Sequence, residues 1–497
     1  MLTTAEFYHD PHVLRRMLEY CGVPVEETAD FELEPGTTSF AKSRRLREIA
    51  GKMTAEYLSG WGDYFLRTKG KRASSRYPEQ LGELLDGGLN IFRSVWDRQK
   101  IIFLLDVEYV SHKFPLETYT NPWRVFNILE PVYKCLQDVF SEYGIKPMTL
   151  ATAQGYHFVF EVNSFTSSGE STERREITPV ARKLVQAGFL EDTLRGKYTH
   201  PIPHKKRRRV LDPELGRAFD TVGKLLEFIS HKAIQRLPGY GLKIPVGIGD
   251  IVPGNAMQEL INLDLSTYAD PLFTRVMRTA FSIHDKHKSK GLDLPVHLTI
   301  PRYTPCNGNE LGLPEIFQNR RHFHNSANYA RAITMNIPES SEGVARLLDD
   351  YQQSSLATFH QDFDQTAQDP SQDWSRTYDR MNLRDVPPCV AYALANPNPA
   401  LLQPKQIQTL VRVLTAKKRW HPSHVAGLIR SKYERDHHWE FNWQKYDANR
   451  HARTWVRFYA GLLATGVDDR IDQNCVSHQE KDLCPRPFCG YNLADYK

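Results

Sequence analysis

Cysteine is scarce in this chain, with 7 in 497 residues. That argues against a disulfide-stapled secreted module, because such domains are dense in Cys. Long apolar runs are lacking too: no segment approaches the ~18 apolar residues of a membrane helix, so no membrane partner is expected. Met1 to Glu19 carries Asp, His, Glu and two Arg in a helix-like pattern, without the apolar stretch of a signal peptide. A cytoplasmic location is the expectation. No internal repeat is visible, and 29 Gly and 30 Pro without period exclude a collagen-like or low-complexity chain. Neither sign of charge dominates: 64 Lys+Arg face 59 Asp+Glu, and the net +5 is a weak pointer to an anionic partner. Aromatic residues make up 11%, which excludes disorder over the whole length.

At this length two or three domains with separate cores are expected, since single cores stop growing near roughly 250–300 residues. The pattern suggests a helical N-terminal part of a catalytic module (1–95), an α+β catalytic core (96–336), a linker carrying a helix (337–384) and an all-helical C-terminal domain (385–497). Within the core, Ile101 to Val110 reads as a strand, Pro122 to Gly144 as a helix, and Met148 to Val162 as two strands around Gln154-Gly155. Glu259 to Leu265 reads as a strand and Asp270 to Ser282 as helical or irregular. Earlier, Ser39 to Leu66 reads as helical, and Gly82 to Trp96 as helical with a break at Gly87-Gly88. Later helices are expected over 405–416, 424–435 and 452–465.

Asp106 and Glu108 close the apolar run Ile101-Ile102-Phe103-Leu104-Leu105. Two residues apart on a strand, they share one face. Two acids there suit a divalent cation, Mg²⁺ or Mn²⁺, bound through carboxylates and substrate phosphates. The alternative is a strand end with two solvated acids. Two further segments bear on this choice. Gly155-Tyr156-His157 opens a strand with a His near its start. Leu260-Ile261-Asn262-Leu263-Asp264 ends an apolar strand in an acid, followed by Arg278, Ser282, His284 and Lys286 at spacings 4, 2 and 2. Arg, His and Lys supply the charge-assisted donors a triphosphate needs, and Ser a short neutral one. The alternative for the end of this block is a solvated basic loop.

In this order, the three segments resemble the archaeo-eukaryotic primase superfamily, specifically the catalytic small subunit. The resemblance implies an RRM-like sheet with helices. It makes Asp106, Glu108 and Asp264 the Mg²⁺/Mn²⁺ carboxylates, His157 a contact to the incoming nucleotide's phosphates, and Arg278, Ser282, His284 and Lys286 triphosphate contacts. There is a departure at Ala151-Thr-Ala-Gln-Gly155-Tyr-His157: the Ser and Arg that the family places before this His are missing.

Four of the seven Cys fall late: Cys389 after a Pro pair, then Cys475-x8-Cys484-Pro-x3-Cys489. One distant and three close thiols on a helical scaffold can gather around one iron–sulfur cluster or one Zn²⁺. Pro387-Pro388-Cys389 and the late trio look like the iron–sulfur domain of the primase large subunit, which implies a [4Fe–4S] cluster. The late spacing is tighter than in typical large subunits, so Zn²⁺ stays an alternative. Cys21, Cys135 and Cys306 are scattered.

The expected function is a single-chain primase or primase-polymerase, a nucleotidyltransferase working on single-stranded DNA with NTPs or dNTPs. Two alternatives stand beside it: a primer-extending repair or translesion polymerase unable to initiate, and a silent nucleic-acid binding module. Replication or defence proteins are the partner classes left open. The basic run Lys205–Arg209 and the Lys417–Arg419 group beside Trp420 suit either phosphate contact or a solvated surface.

Overall fold

The computed structural model describes residues 3–61, 74–166, 176–191, 213–249, 251–255, 257–269, 276–395, 399–435, 447–467 and 473–496. It has a mixed α+β architecture. In chain order its strands are β1 (Leu58–Trp61), β2 (Ser74–Arg76), β3 (Asn90–Ser94), β4 (Lys100–Ser111), β5 (Met148–Ala151), β6 (Gly155–Asn163) and β7 (Val246–Ile248). There follow β8 (Glu259–Asp264), β9 (Val276–Arg278), β10 (Ile283–His284), β11 (His297–Leu298), β12 (Ile300–Thr304) and β13 (Asn309–Glu310).

Seven strands form the main sheet, in the order β13-β12-β5-β6-β4-β8-β7. Every pair is antiparallel except β7–β8, so the sheet is mixed. The run Ile101–Leu105 explains why β4 lies inside the sheet. It is apolar on both faces, buried and paired with β6, and the second half of β4 also pairs with β8. Helix Pro122–Ser141, capped by the Asn121 side chain with Pro at its first position, covers one face. Phe140 meets Phe160 edge-on at 5.5 Å and Phe126 meets Tyr156 at 5.3 Å. Side chains alternate along a strand. His157, and with it Asp106 and Glu108, therefore points to the opposite face.

A second sheet joins the N-terminal segment to the third sequence block, in the order β2-β1-β3-β9. Here the structure differs from the helical reading of the early chain. The helix Arg44–Ala50 is short, β1 follows it, and helix Leu81–Asp86 stops before Gly88 (φ 56°) turns the chain into β3. Apolar residues at 89, 91 and 92 fit either period, and cross-strand pairing with β1 and β9 decides for the strand. The described part of 270–282 is likewise β9 and a turn, not a helix.

The stretch 337–384 holds two helices, Ser341–Gln352 and Ser355–Gln365, which bury Val344, Leu347, Leu348, Tyr351, Leu356 and Phe363. Its start is pinned beside β6: Glu161 N donates to Pro338 O at 2.9 Å and Ser340 N to Glu161 O at 2.9 Å. The C-terminal helices Pro404–Lys418, Pro422–Tyr433 and Ala448–Ala464 lie where the sequence places them. One continuous apolar core runs from Phe7 to Leu493, so the N-terminal, central and C-terminal parts are packed together. Among the described residues, no helix is long and apolar enough to cross a membrane.

A buried charge network joins these parts. Helix Pro213–Arg236 contributes the stripe Asp220, Lys224, Glu227 and His231. Helix Ala448–Ala464 contributes Arg450, Arg453 and Arg457 at matching helical spacing. Asp220 takes Arg450 at 2.9 Å, Arg457 at 2.8 Å and Lys224 at 3.0 Å. Asp364, on Ser355–Gln365, takes Lys224 at 2.7 Å and Arg453 at 2.8 Å. His360 reaches Glu227 at 3.2 Å, and Arg450 also faces Glu191 at 3.4 Å. Asp220 is held well below the usual carboxylate range. Burial alone would raise it, but Lys224, Arg457 and Arg450 together outweigh burial.

Asp220→Ala leaves three buried cations without their shared partner, so it is expected to destabilise the fold by roughly 3–5 kcal/mol in urea unfolding. An unchanged midpoint would show the network to be neutral. The network also predicts acid sensitivity. Burial pushes His231 from 6.5 down to about 4, so below pH 6.5 the unfolded chain binds the extra proton. Stability therefore falls from about pH 6.5 toward 4, with a slope of up to about 1.4 kcal/mol per pH unit for this group. His231→Gln is expected to flatten that slope in a series of melting curves.

Candidate active site and cysteine cluster

The sheet register assembles the predicted acids. Asp106, on β4, lies opposite His157 of β6 on one side and opposite Asp264 of β8 on the other. Glu108 follows on the same face, between Gly155 and Asn262. Gly155 is required at its place: a Cβ there would stand 1.8 Å from the Val107 carbonyl oxygen. The strand carrying His157 therefore approaches β4 closely. His157 Nε2 lies 3.4 Å from Asp106 Oδ1. Asp106 Oδ1 and His157 Nδ1 are both buried without a hydrogen-bond partner. Asp264 is fixed by accepting from Ser266 N at 2.7 Å.

Asp106 and Asp264 are directly opposite acids, an arrangement that destabilises a sheet unless a cation offsets it. With Glu108 they form a set of half-buried oxygen donors, the ligand type of Mg²⁺ and Mn²⁺. The buried, unpartnered Asp106 oxygen fits the same group. As placed, the three acids share a face rather than a point. Among the described residues, no group of three or more His, Cys, Asp or Glu is gathered tightly enough to hold a metal ion.

The block from Arg278 to Lys286 runs from β9 through β10 and reaches this face at one end. Lys286, exposed, donates from Nζ to Gln154 Oε1 at 3.2 Å, in the turn just before His157. Arg278 lies over the Phe92 ring at 4.4 Å and donates to Ile283 O at 2.7 Å. Ser282 is buried: its Oγ accepts from Ile91 N at 2.7 Å and contacts Ile283 O at 3.3 Å, bracing β3. His284 is buried as well. Burial, then the nearby Arg278 and Lys286, hold its pKa well below the ordinary value. So the acids and His157 share one face, Lys286 touches its rim, and Ser282 and His284 sit inside the supporting layer.

Cys389, far from the other late thiols in sequence, lies within electrostatic reach of all three, although as placed no three of them are gathered tightly enough to hold a metal ion. Burial pushes the Cys389 thiol up to about 12, and Cys484, Cys475 and Cys489 each raise it further, an effect that requires proximity. Cys389 opens helix Pro388–Ala395, and Cys475 opens helix Cys475–Glu480. Leu493 N donates to Cys475 Sγ at 3.4 Å. Such an amide stabilises a thiolate and suits a sulfur ligand of iron–sulfur or Zn²⁺. Cys21 and Cys135 are buried elsewhere, and Cys306 is exposed.

Other predicted features are less site-like. Arg419 (φ 52°) closes helix Pro404–Lys418, and His421 pairs with Asp362 at 2.8 Å. Lys417 covers the Tyr491 ring at 5.2 Å. Lys205–Arg209 lies outside the described residues. Sequence reasoning missed Arg320 and the Arg450/Arg453/Arg457 stripe. The stripe was discoverable from its 3-and-4 spacing along helix Ala448–Ala464, whereas a lone Arg carries no pattern.

No family model, curated protein or solved structure matches this chain. The chemistry must therefore be read from its own residues. Mn²⁺ is expected to raise the melting temperature, by an amount equivalent to about 2.7 kcal/mol at a hundredfold excess over Kd. Asp106→Asn is expected to abolish that response without lowering metal-free stability, because it relieves acid–acid repulsion. An undiminished Mn²⁺ shift in the variant would remove Asp106 from the cation site. For the thiols, anaerobic purification followed by metal analysis is expected to find iron, or one zinc, that Cys389→Ser releases.

Proposed function

We propose that this chain is a primase-polymerase: a nucleotidyltransferase that extends a strand on a single-stranded DNA template from NTPs or dNTPs. It would combine a catalytic core like the small subunit of the archaeo-eukaryotic primase superfamily with a cysteine domain like that of the large subunit. One observation carries the reading: Asp106, Glu108 and Asp264, from two neighbouring strands, present their carboxylates on one face with His157 beside them. Three acids gathered toward a polyanionic substrate have little use without cations between them.

In this reading, Asp106, Glu108 and Asp264 hold Mg²⁺ or Mn²⁺. When bound, the ions help activate the 3′-hydroxyl and neutralise charge as pyrophosphate leaves the α-phosphorus. Lys286, on the rim, supplies positive charge to the β- and γ-phosphates. His157 donates to a phosphate oxygen while Asp106 orients its ring. The Phe92–Arg278 stack keeps the guanidinium at the edge of the second sheet, facing the same substrate tail. Cys389, Cys475, Cys484 and Cys489 hold a [4Fe–4S] cluster or Zn²⁺, which shapes the helical domain for the template or the primer's 5′ end.

An extension-only polymerase is the second reading, and the turn before His157 favours it. Residues 151–154 carry no cation, and the Thr152 hydroxyl is engaged with Gly155. A site that starts chains must hold a second triphosphate, which this turn is poorly equipped to do.

Two assays on single-stranded DNA decide the matter, one with nucleotides alone and one with a labelled primer. De novo product that Asp106→Ala/Glu108→Ala reduces to background is the expected result. Extension without de novo product selects the second reading. Equal incorporation by wild type and the double variant would refute both.

A further inference from the structure

Among the described residues, Arg320 stands out as a buried cation without a counter-ion. It lies on helix Leu313–Arg321, is 2% exposed, and none of its three guanidinium nitrogens has a hydrogen-bond partner. The rings of Phe126 and Phe317 lie 4.9 and 5.9 Å from it. They soften the burial of a cation and supply no hydrogen-bond acceptor. No carboxylate among the described residues acts on it: besides burial, which brings its pKa down to about 10, it feels Tyr156, Tyr119 and Arg321. Glu130, behind Tyr156, is taken by Arg302 at 2.9 Å, and Asp285 by Asn90 at 2.6 Å. An unpaired charge this deep is costly, and a buried polar group without a partner calls for an unseen one.

Apart from Asp285, which Asn90 holds, and the two tyrosines, the titratable groups around it are basic. Arg320 acts electrostatically on His284 and His297, which pair across β10 and β11, and His287 lies 5.6 Å from His297. The Tyr119 ring stands within 6.0 Å of all three imidazoles. His284, His287 and His297 each bury an Nδ1 without a partner. His287 Nε2 is engaged by Leu294 O at 2.9 Å. The exposed cations Lys286 and Arg321 flank the cluster. A guanidinium among the imidazoles opposes a divalent cation. The missing group is an acceptor and an anion.

We propose that Arg320, with His284 and His297, forms a binding site for a phosphoryl oxyanion presented by a nucleotide polyphosphate. The fork of the guanidinium suits two oxygens of one phosphate, and the imidazoles donate to the third. Only the nucleotide origin of the phosphate rests on the polymerase reading; the anion site itself does not.

The test is calorimetric titration of the full-length protein in EDTA with inorganic phosphate, pyrophosphate and a nucleoside triphosphate. Pyrophosphate and the triphosphate are expected to bind more tightly than phosphate. Arg320→Met is expected to weaken both roughly ten- to hundredfold, with Arg320→Lys recovering part of the loss. Without ligand, Arg320→Met should melt no lower than wild type, since it removes an unpaired buried charge. His297→Gln, a milder change, should also weaken binding. Unaltered affinities in Arg320→Lys and His297→Gln would overturn the site, as would zinc binding that His297→Gln abolishes. Equal affinity for all three anions would overturn the nucleotide origin. Absence of strand synthesis by the wild-type protein, with its anion binding intact, would sink the polymerase reading and leave this site standing.

Discussion

The buried ion network around Asp220 is the interaction on which the rest of the structure depends. Its arginines, Arg450, Arg453 and Arg457, come from the C-terminal helical part, and its lysine, Lys224, from the long helix. Its anions Asp220, Glu227 and Asp364 come from the long helix beside the main sheet and from the stretch 337–384. Charges this deep are tolerated only when matched, so the two helical faces have one productive register. That ties the C-terminal helices, and the thiols they carry, to the scaffold that also presents the carboxylates. The geometry is fixed electrostatically, whereas apolar packing alone permits sliding.

The same principle accounts for the contrast between the two basic clusters. Arg450 and Arg457 are buried and balanced by acids. Arg320 is buried and balanced by none among the described residues. A fold that spends so many acids on one set of arginines and none on another has left the second for a ligand. The acids opposite each other on β4 and β8 show the converse, negative charge brought together where a cation is needed.

Much of the frame was legible in the sequence. Asp106 and Glu108 announce themselves because period two places them on one face at the end of an apolar strand. The helices over 404–418, 422–433 and 448–464 follow from plain 3.6 periodicity and a Pro at the first turn of two of them. The early chain was harder. Residues 81–96 hold both a helix and a strand, since a short apolar run fits either period and only pairing with β1 and β9 selects β3. The stretch 337–384 is rich in Ser, Gln and Asp, which suggests a linker. It is packed because its few apolar residues fall on helical faces that the core covers.

The sequence by itself determined the identity and local spacing of the acids, the basic block and the late cysteines, because strand and helix periods are properties of consecutive residues. Only the tertiary structure decided which of them meet. Strand register, a long-range choice, put Asp264 opposite Asp106 and His157 on its other side. Folding brought Cys389 to the late trio. It also turned Ser282 inward to hold β3 while leaving Lys286 at the rim. And it left Arg320 without an acid, a fact about surroundings in space that no spacing along the chain encodes.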